Sequence, residues 1–330
     1  MSSAMPSPLL PSNQARWSDY LKMARLDHMT KHVFILPGLV LAYVLRNPPL
    51  ENAWWSIVLG FASAVLIASS NYIINEWLDR EFDAFHPDKS SRPAVHKEMS
   101  AALVYAGYAA FSLLGLWLAY WVGPVFFIVS LLFWVSGVIY NVKPLRTKDK
   151  AYVDVLSESL NNPIRMMLGW AMIEHSSIAP GSLLLAYWMG GAFLMGAKRL
   201  SEYREIAAGP GVAVLHRYRR SFQHYTEERL TISCFVYAMF STFLIGVFLI
   251  KYRIEYVLAF PFIILLFAHY LALSMRSGSV AQKPEKLFRE KRLMVISVAT
   301  VAALALLSFI NLPALQEFSE PHFVTVGGAK

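Results

Sequence analysis

Apolar residues along this chain come in long blocks rather than in short alternations. The blocks cover residues 33–45, 54–78, 99–122, 123–140, 153–173, 180–197, 230–250, 254–275 and 293–312. At 1.5 Å of rise per residue, about 20 residues cross a hydrocarbon core, and most of the blocks approach that length. They predict an all-α integral membrane protein with about nine transmembrane helices. The first and fourth blocks are short and the fifth is polar, so the pattern accommodates eight to ten. Trp54, Trp55, Tyr120, Trp121, Trp170 and Tyr252 fall near block ends, where amphipathic rings favour the headgroup region. A single transmembrane domain is expected over 16–312. It lies between a Ser- and Pro-rich tail, 1–15, and a C-terminal tail, 313–330.

Composition agrees with that pattern. Of the 330 residues 56% are apolar and 16% charged, against roughly a quarter charged in soluble domains. A large soluble helical protein has no need of so many long apolar blocks. Charge then orients the chain. If the segments between blocks alternate sides, 25 of the 30 Lys and Arg residues share the side of the N-terminus. Arg46, Lys251, Arg253 and Lys330 fall on the other side, and Arg165 lies within a block. Positive loops stay cytoplasmic, which predicts the N-terminus inside and the C-terminus outside. The expected setting is a bacterial inner membrane. The net charge of +8 is thereby explained by membrane-proximal loops, with no nucleic-acid partner. Residues 1–15 lack the charged start and apolar stretch of a signal peptide. Cys234 is the only cysteine, so no internal disulfide forms and a small packing role is expected.

The inner connections 79–98, 141–152, 198–229 and 276–292 are long, and the outer ones are short. Long connections of this kind usually carry function. Where the second block runs into the first of these, Asn75, Asp79 and Asp83 stand at i, i+4 and i+8, which a helical continuation of that block stacks on one face. An amide and two carboxylates in a column suit a hard divalent cation such as Mg²⁺, completed by water and phosphate oxygens. His86, Lys89 and Arg92 follow, and suit a polyanion held by that metal. The alternative is an ordinary solvated helix end.

A second constellation lies in the fifth block. Asp154, Glu158, Asn161 and Arg165 form one stripe, with Asn162 and Pro163 beside them. Ionisable groups inside a membrane face a cavity or one another and mark functional paths. A structural polar stripe that holds helices together is the other reading. Glu158 and Arg165 are too far apart to pair directly. No Cys/His zinc spacing, phosphate-binding Gly loop or dinucleotide fingerprint is present.

The run Asn75-xxx-Asp79-xxx-Asp83 followed by Lys89-xx-Arg92-Pro93 resembles the first aspartate-rich motif of the UbiA superfamily of intramembrane prenyltransferases. Glu76 stands where that family usually has Asp. Tyr140-Asn-Val-Lys-Pro-Leu-Arg146-xx-Asp149 is similar to the family's loop after the fourth span. The resemblance covers residues 20–310. It implies nine helices around a central cavity, a cytoplasmic Mg²⁺–diphosphate site, and transfer of a prenyl group from an isoprenoid diphosphate to a small, often aromatic, acceptor. On this reading Asn75, Asp79, Asp83 and Glu202 hold metal. Lys89, Arg92, Lys143, Arg146, Lys198, Arg199, Tyr140 and Asn161 bind substrate, and Asp154, Glu158 and Arg165 join the catalytic set.

The family's second Asp-xxx-Asp motif has no Asp here. Gly196–Glu205 offers Glu202 and Glu205 on one face, led by Lys198 and Arg199. With His86-Pro87-x-Lys89, this is similar to the branch that joins phosphoribosyl diphosphate to polyprenyl phosphate, which stands as an alternative reaction. A positive-inside helix terminus is the plain reading of Lys198 and Arg199. A secondary transporter is the rival from another class, since a Pro-broken polar helix also suits a midplane substrate site. Asp27 and His28 are expected at the membrane surface. The His216–Glu228 stretch reads as a lid over the site or as a lipid-bound basic helix. The pattern leaves oligomeric state open.

Overall fold

The computed structural model describes residues 13–26, 29–47, 53–86, 89–209, 211–276, 278–279, 281 and 284–319. Asp27, His28, Pro87 and most of the two tails lie outside these residues. Among the described residues the only β pairing is a two-residue parallel contact of Asn13–Gln14 with Lys97–Glu98. All other regular structure is helical.

Helices stand where the apolar blocks predict them. α1 (Trp17–Met23) precedes α2 (Leu36–Arg46), and the 31-residue α3 (Ala53–Asp83) carries the Asn75–Asp83 column at its end. The four-residue α4 (Pro93–His96) leads to α5 (Ala101–Val122) and α6 (Pro124–Asn141). The fifth block divides into α7 (Val153–Ser159) and α8 (Asn161–Ile173). Pro163 accounts for the break, because its ring cannot donate to the preceding turn and clashes with the carbonyl there. The Asn161 side chain donates to the Glu158 carbonyl at 3.0 Å, satisfying backbone beside the break. α9 (Gly181–Ala208), α10 (Val212–Tyr218), α11 (Glu227–Tyr252), α12 (Phe260–Ser274), α13 (Lys291–Leu307) and α14 (Pro313–Ser319) complete the chain. By length and composition, α3, α5, α6, α11 and the stretch 254–274 can each cross a membrane, while His32–Arg46 is a shorter apolar helix.

Burial is reversed from the habit of a soluble bundle. Leu113 on α5, Phe243 on α11 and Val298 on α13 are 69%, 67% and 68% exposed, so the outer faces are apolar. Lipid-facing helices need such a surface, since all their backbone polar groups are satisfied internally. α8 is the opposite case: every residue from Asn162 to Ile173 is buried. Small residues allow this enclosure. A Cβ on Gly38 of α2 would lie 1.8 Å from the Met166 carbonyl oxygen, and one on Gly169 of α8 would lie 2.0 Å from the Ile35 carbonyl oxygen. The two backbones therefore touch. On the other side a Cβ on Gly191 of α9 would meet the Asn162 amide nitrogen at 2.2 Å. α8 is thus fixed between α2 and α9, and its polar residues face inward.

Candidate active site

The polar ends of α3, α6, α7 and α9 meet around a cavity of about 540 Å³. Asn75 and Asp79 line it from α3, as the i, i+4 spacing requires. The loop after α6 supplies their cationic partners. Arg146 reaches Asp79 Oδ1 at 2.8 Å and Lys148 Nζ reaches it at 2.6 Å. Lys148 also donates to the side-chain oxygens of Asn141 at 2.8 Å and Asn75 at 3.3 Å. Arg146 and Tyr152 adopt φ values of +28° and +64°. Non-glycine residues reach that region at a cost, and such residues gather at functional sites. Burial pulls the Lys148 ammonium down to about 8, against the opposing pull of Asp79.

Beyond Asp79 the α3 column turns away from the cavity. Asp83 is buried and paired with Arg92, which itself lines the cavity. Glu76 is a structural carboxylate: Arg25 donates to it at 2.9 Å, and the Ala94 backbone at 3.5 Å. His86 accepts from the Lys89 backbone N–H through Nδ1 at 3.2 Å. That leaves Nε2 to donate to Glu202 Oε1 at 3.1 Å. Lys89 lines the cavity, its ammonium 4.5 Å from the Tyr218 ring centre. Burial lowers the Lys89 ammonium to about 8, although Glu202 and Asp83 pull the other way.

The opposite wall is organised by Arg199. Its guanidinium reaches Glu158 at 2.7 Å, Glu202 at 3.2 Å and Asp154 at 3.3 Å. Glu202 also accepts from the Tyr218 hydroxyl. Asp154 is fully buried, and Ser221 and Tyr225 donate to it at 3.1 and 2.6 Å. Arg219 lies 3.3 Å from Asp154 and donates to the Tyr140 hydroxyl at 2.7 Å, which in turn donates to Glu158 at 2.8 Å. Segment 212–225 therefore folds over this end, with Tyr218, Phe222 and Tyr225 buried beneath it.

Of the α7–α8 stripe, Glu158, Asn161 and Arg165 line the cavity, while Asp154 is turned toward segment 219–225. Tyr140, Lys198, Arg199 and Arg92 join them in the wall. Lys143, expected to bind substrate, is instead exposed and outside the cavity wall, and it is Lys148 from the same loop that stands beside Asp79. Sequence patterning alone does not select Lys148, Arg219 or Arg25, which the fold adds to the site. Each comes from a segment whose approach depends on tertiary packing, and only the clustering of basic residues in long inner connections signals the first two.

Among the described residues no group of three His, Cys, Asp or Glu side chains is arranged to hold a metal ion. The donor set that fits a hard cation is Asn75 Oδ1 with the Asp79 carboxylate. The Lys148 ammonium already sits where these oxygens and Asn141 converge. Mg²⁺ prefers one or two carboxylates completed by water and substrate phosphates, so this pair suits it in company with a phosphorylated ligand. Glu202 does not suit it equally well, because His86, Tyr218 and Arg199 occupy its oxygens.

Fold and site together define a helical membrane protein with a pole rich in paired cations and carboxylates around its cavity. A model of the UbiA prenyltransferase family matches residues 33–291, and the chain belongs to that family, a family of transferases rather than transporters. It is 26% identical over 236 residues to a protoheme IX farnesyltransferase of Alkalihalophilus pseudofirmus, covering 68% of this chain and 73% of that protein. A namesake from Christiangramia forsetii is 30% identical over 138 residues, 38% of this chain and 44% of the relative. Its fold is similar to that of a UbiA homolog from Archaeoglobus fulgidus bound to GPP and Mg²⁺. The TM-score is 0.64 at 23% identity, over 88% of this chain and 99% of the other.

Proposed function

We propose that this protein transfers a prenyl group from a prenyl diphosphate to a small acceptor, with Mg²⁺ held at Asn75, Asp79 and Asp83 on the cytoplasmic side of the membrane. One observation carries the reading: the cavity wall joins a cluster rich in cations to an apolar flank. Lys89, Arg92, Lys198, Arg199 and Arg219 line it together with Asp79 and Glu158, and Phe34, Leu194, Met195, Leu293 and Met294 supply the apolar wall. A diphosphate head with an isoprenoid tail matches that division. The farnesyltransferase relatives and the GPP-bound homolog support the same donor class. Asp83, which is paired with Arg92, enters the metal set by exchanging that partner.

The bond that breaks joins the donor's first carbon to the diphosphate oxygen. Its electron pair leaves with the diphosphate, the carbon becomes an allylic cation that an electron pair of the acceptor attacks, and the proton the acceptor then sheds passes to the departed diphosphate. Lys89, Arg92, Lys198, Arg199 and Arg219 neutralise the charge that grows on the leaving group, and fixed charges in a dry site do this without reorganising. Arg146 and Lys148 set the Asp79 carboxylate, and Asp154 positions Arg199 and Arg219. When bound, Mg²⁺ supplies Lewis-acid neutralisation of the diphosphate oxygens. Tyr140 and Glu158 complete the wall behind Arg219.

A phosphoribosyl donor is the second reading. It is favoured by Lys198, Arg199 and Arg219, whose guanidinium and ammonium groups suit additional phosphates. Purified protein supplied with labelled prenyl diphosphate and 4-hydroxybenzoate, and separately with phosphoribosyl diphosphate and polyprenyl phosphate, tests both. Label entering lipid only in the second mixture overturns prenyl transfer.

A further inference from the structure

We infer that Arg165 is the docking point for an oxyanion on the acceptor substrate, a carboxylate or a phosphate, at a position deeper in the cavity than the diphosphate pole. The inference rests on the prenyl-transfer reading and adds to it the chemical class of the acceptor.

Arg165 lines the cavity and is only 7% exposed. Among the described residues it forms no ion pair, and its buried Nε has no hydrogen-bond partner. Its neighbours are the Phe133 ring, 5.0 Å from the guanidinium carbon, and the Tyr72 hydroxyl. Arg199 shows the contrast, since three carboxylates surround that equally buried guanidinium. A guanidinium presents five donors, and a buried charge without a counter-charge is costly enough that such residues in membranes mark ligand paths. The counter-charge for Arg165 must then enter through the cavity.

The diphosphate is not that counter-charge. Arg165 lies seven residues beyond Glu158 along α7–α8, about 10 Å deeper at the helical rise. Asn71 and Tyr72 lie correspondingly far below Asp79 on α3. A diphosphate, whose two phosphorus atoms share one oxygen, cannot touch both levels. The isoprenoid tail is also an unsuitable partner, and it has its own apolar flank on α9 and α13. Around Arg165 the wall is polar instead, with Asn161 and Asn162 beside it and a buried Asn71 Oδ1 that has no donor. The site therefore offers a charged fork for an oxyanion and an acceptor atom for a hydroxyl or amine. An acceptor gripped there directs its far end toward the diphosphate pole.

The test uses purified full-length protein in nanodiscs, as wild type, Arg165→Lys and Arg165→Met. Binding is measured for GPP with Mg²⁺, for 4-hydroxybenzoate against its neutral analogue 4-hydroxybenzamide, and for undecaprenyl phosphate against undecaprenol. In the wild type, at least one oxyanion should bind roughly 10- to 100-fold more tightly than its neutral partner, the range of a charge-assisted pair. The pair that shows the preference tells a small acid from a lipid phosphate. Arg165→Lys should shrink the preference, and Arg165→Met should abolish it, while GPP binding stays within about threefold of wild type in both. No preference in either pair, or a preference that survives Arg165→Met, overturns the inference. If the Met variant does not fold, the wild-type comparison and the Lys variant decide. Loss of GPP binding by the wild type, with the oxyanion preference intact, would fault the prenyl-donor reading and leave the docking point standing.

Discussion

The Lys148 ammonium stands 2.6 Å from the Asp79 carboxylate and within hydrogen-bonding distance of Asn75 and Asn141. Lys148 comes from the loop after α6 and Asp79 from the end of α3, so the pair ties two segments of the site together. An entering metal or diphosphate must share oxygens with this lysine or displace it.

Asp79→Asn tests the centre of that cluster. The amide keeps the size of the side chain but removes the charge that faces Arg146 and Lys148. Turnover should fall at least about 100-fold, the usual scale for losing one preorganised electrostatic contact. EDTA should abolish wild-type activity and Mg²⁺ restore it. A variant that turns over near the wild-type rate would remove Asp79 from the chemistry.

Arg199 and Glu202 separate stability from metal binding. Removing Arg199 as Arg199→Ala leaves the buried Asp154 and Glu202, and the half-buried Glu158, without their shared cation. Breaking a buried pair costs about 3–5 kcal/mol, so the thermal unfolding midpoint in detergent should drop markedly. Glu202→Gln should also lower that midpoint yet leave Mn²⁺ affinity, read by EPR, close to wild type. A large loss of Mn²⁺ affinity would return Glu202 to the metal set.

Lys89 predicts a pH response of defined sign. It is a buried ammonium group lowered to about 8, it lines the cavity, and a diphosphate prefers its charged form. Just below pH 8 its contribution to donor affinity should be flat. Above pH 8 the lysine must take up a proton on binding, so affinity should fall up to tenfold per pH unit. Lys89→Arg keeps its charge through this range and should remove most of that slope of log KM for the donor against pH. An unchanged slope would place Lys89 outside the donor site.

Topology can be tested independently of chemistry. Reporter fusions after residues 90, 147, 210 and 285 should read cytoplasmic, and fusions near 50, 177 and 325 external. The uneven distribution of basic residues is the basis. A cytoplasmic signal at 325 would require an even number of crossings.

Much of this architecture is legible in the sequence, because apolar block length maps directly onto helix length and the i, i+4 spacing of Asn75 and Asp79 maps onto one helix face. Pro163 likewise announces the α7–α8 break. Asp83 and Asp154 escape the same reasoning. Their spacing is helical, yet Arg92 holds one away from the cavity and Ser221, Tyr225 and Arg219 hold the other. Helical periodicity fixes a side chain's direction from its own axis, not the segment that will meet it. The loop after α6 illustrates the same limit, since a backbone turn through Arg146 exposes Lys143 and aims Lys148 inward.

The enclosure of α8 bears on how this protein could be altered. With Gly38 and Gly169 locking its backbone to α2, and Gly191 of α9 against Asn162, almost any enlargement there collides with main chain or a packed amide. The α13 side is different: Val298 and Val301 look outward, while Leu293 and Met294 on the same helix border the cavity. A mutant library selected for longer or shorter isoprenoid donors should accordingly collect its changes on α13 and leave α8 nearly untouched, dividing the enzyme into an invariant anvil and an adjustable gauge.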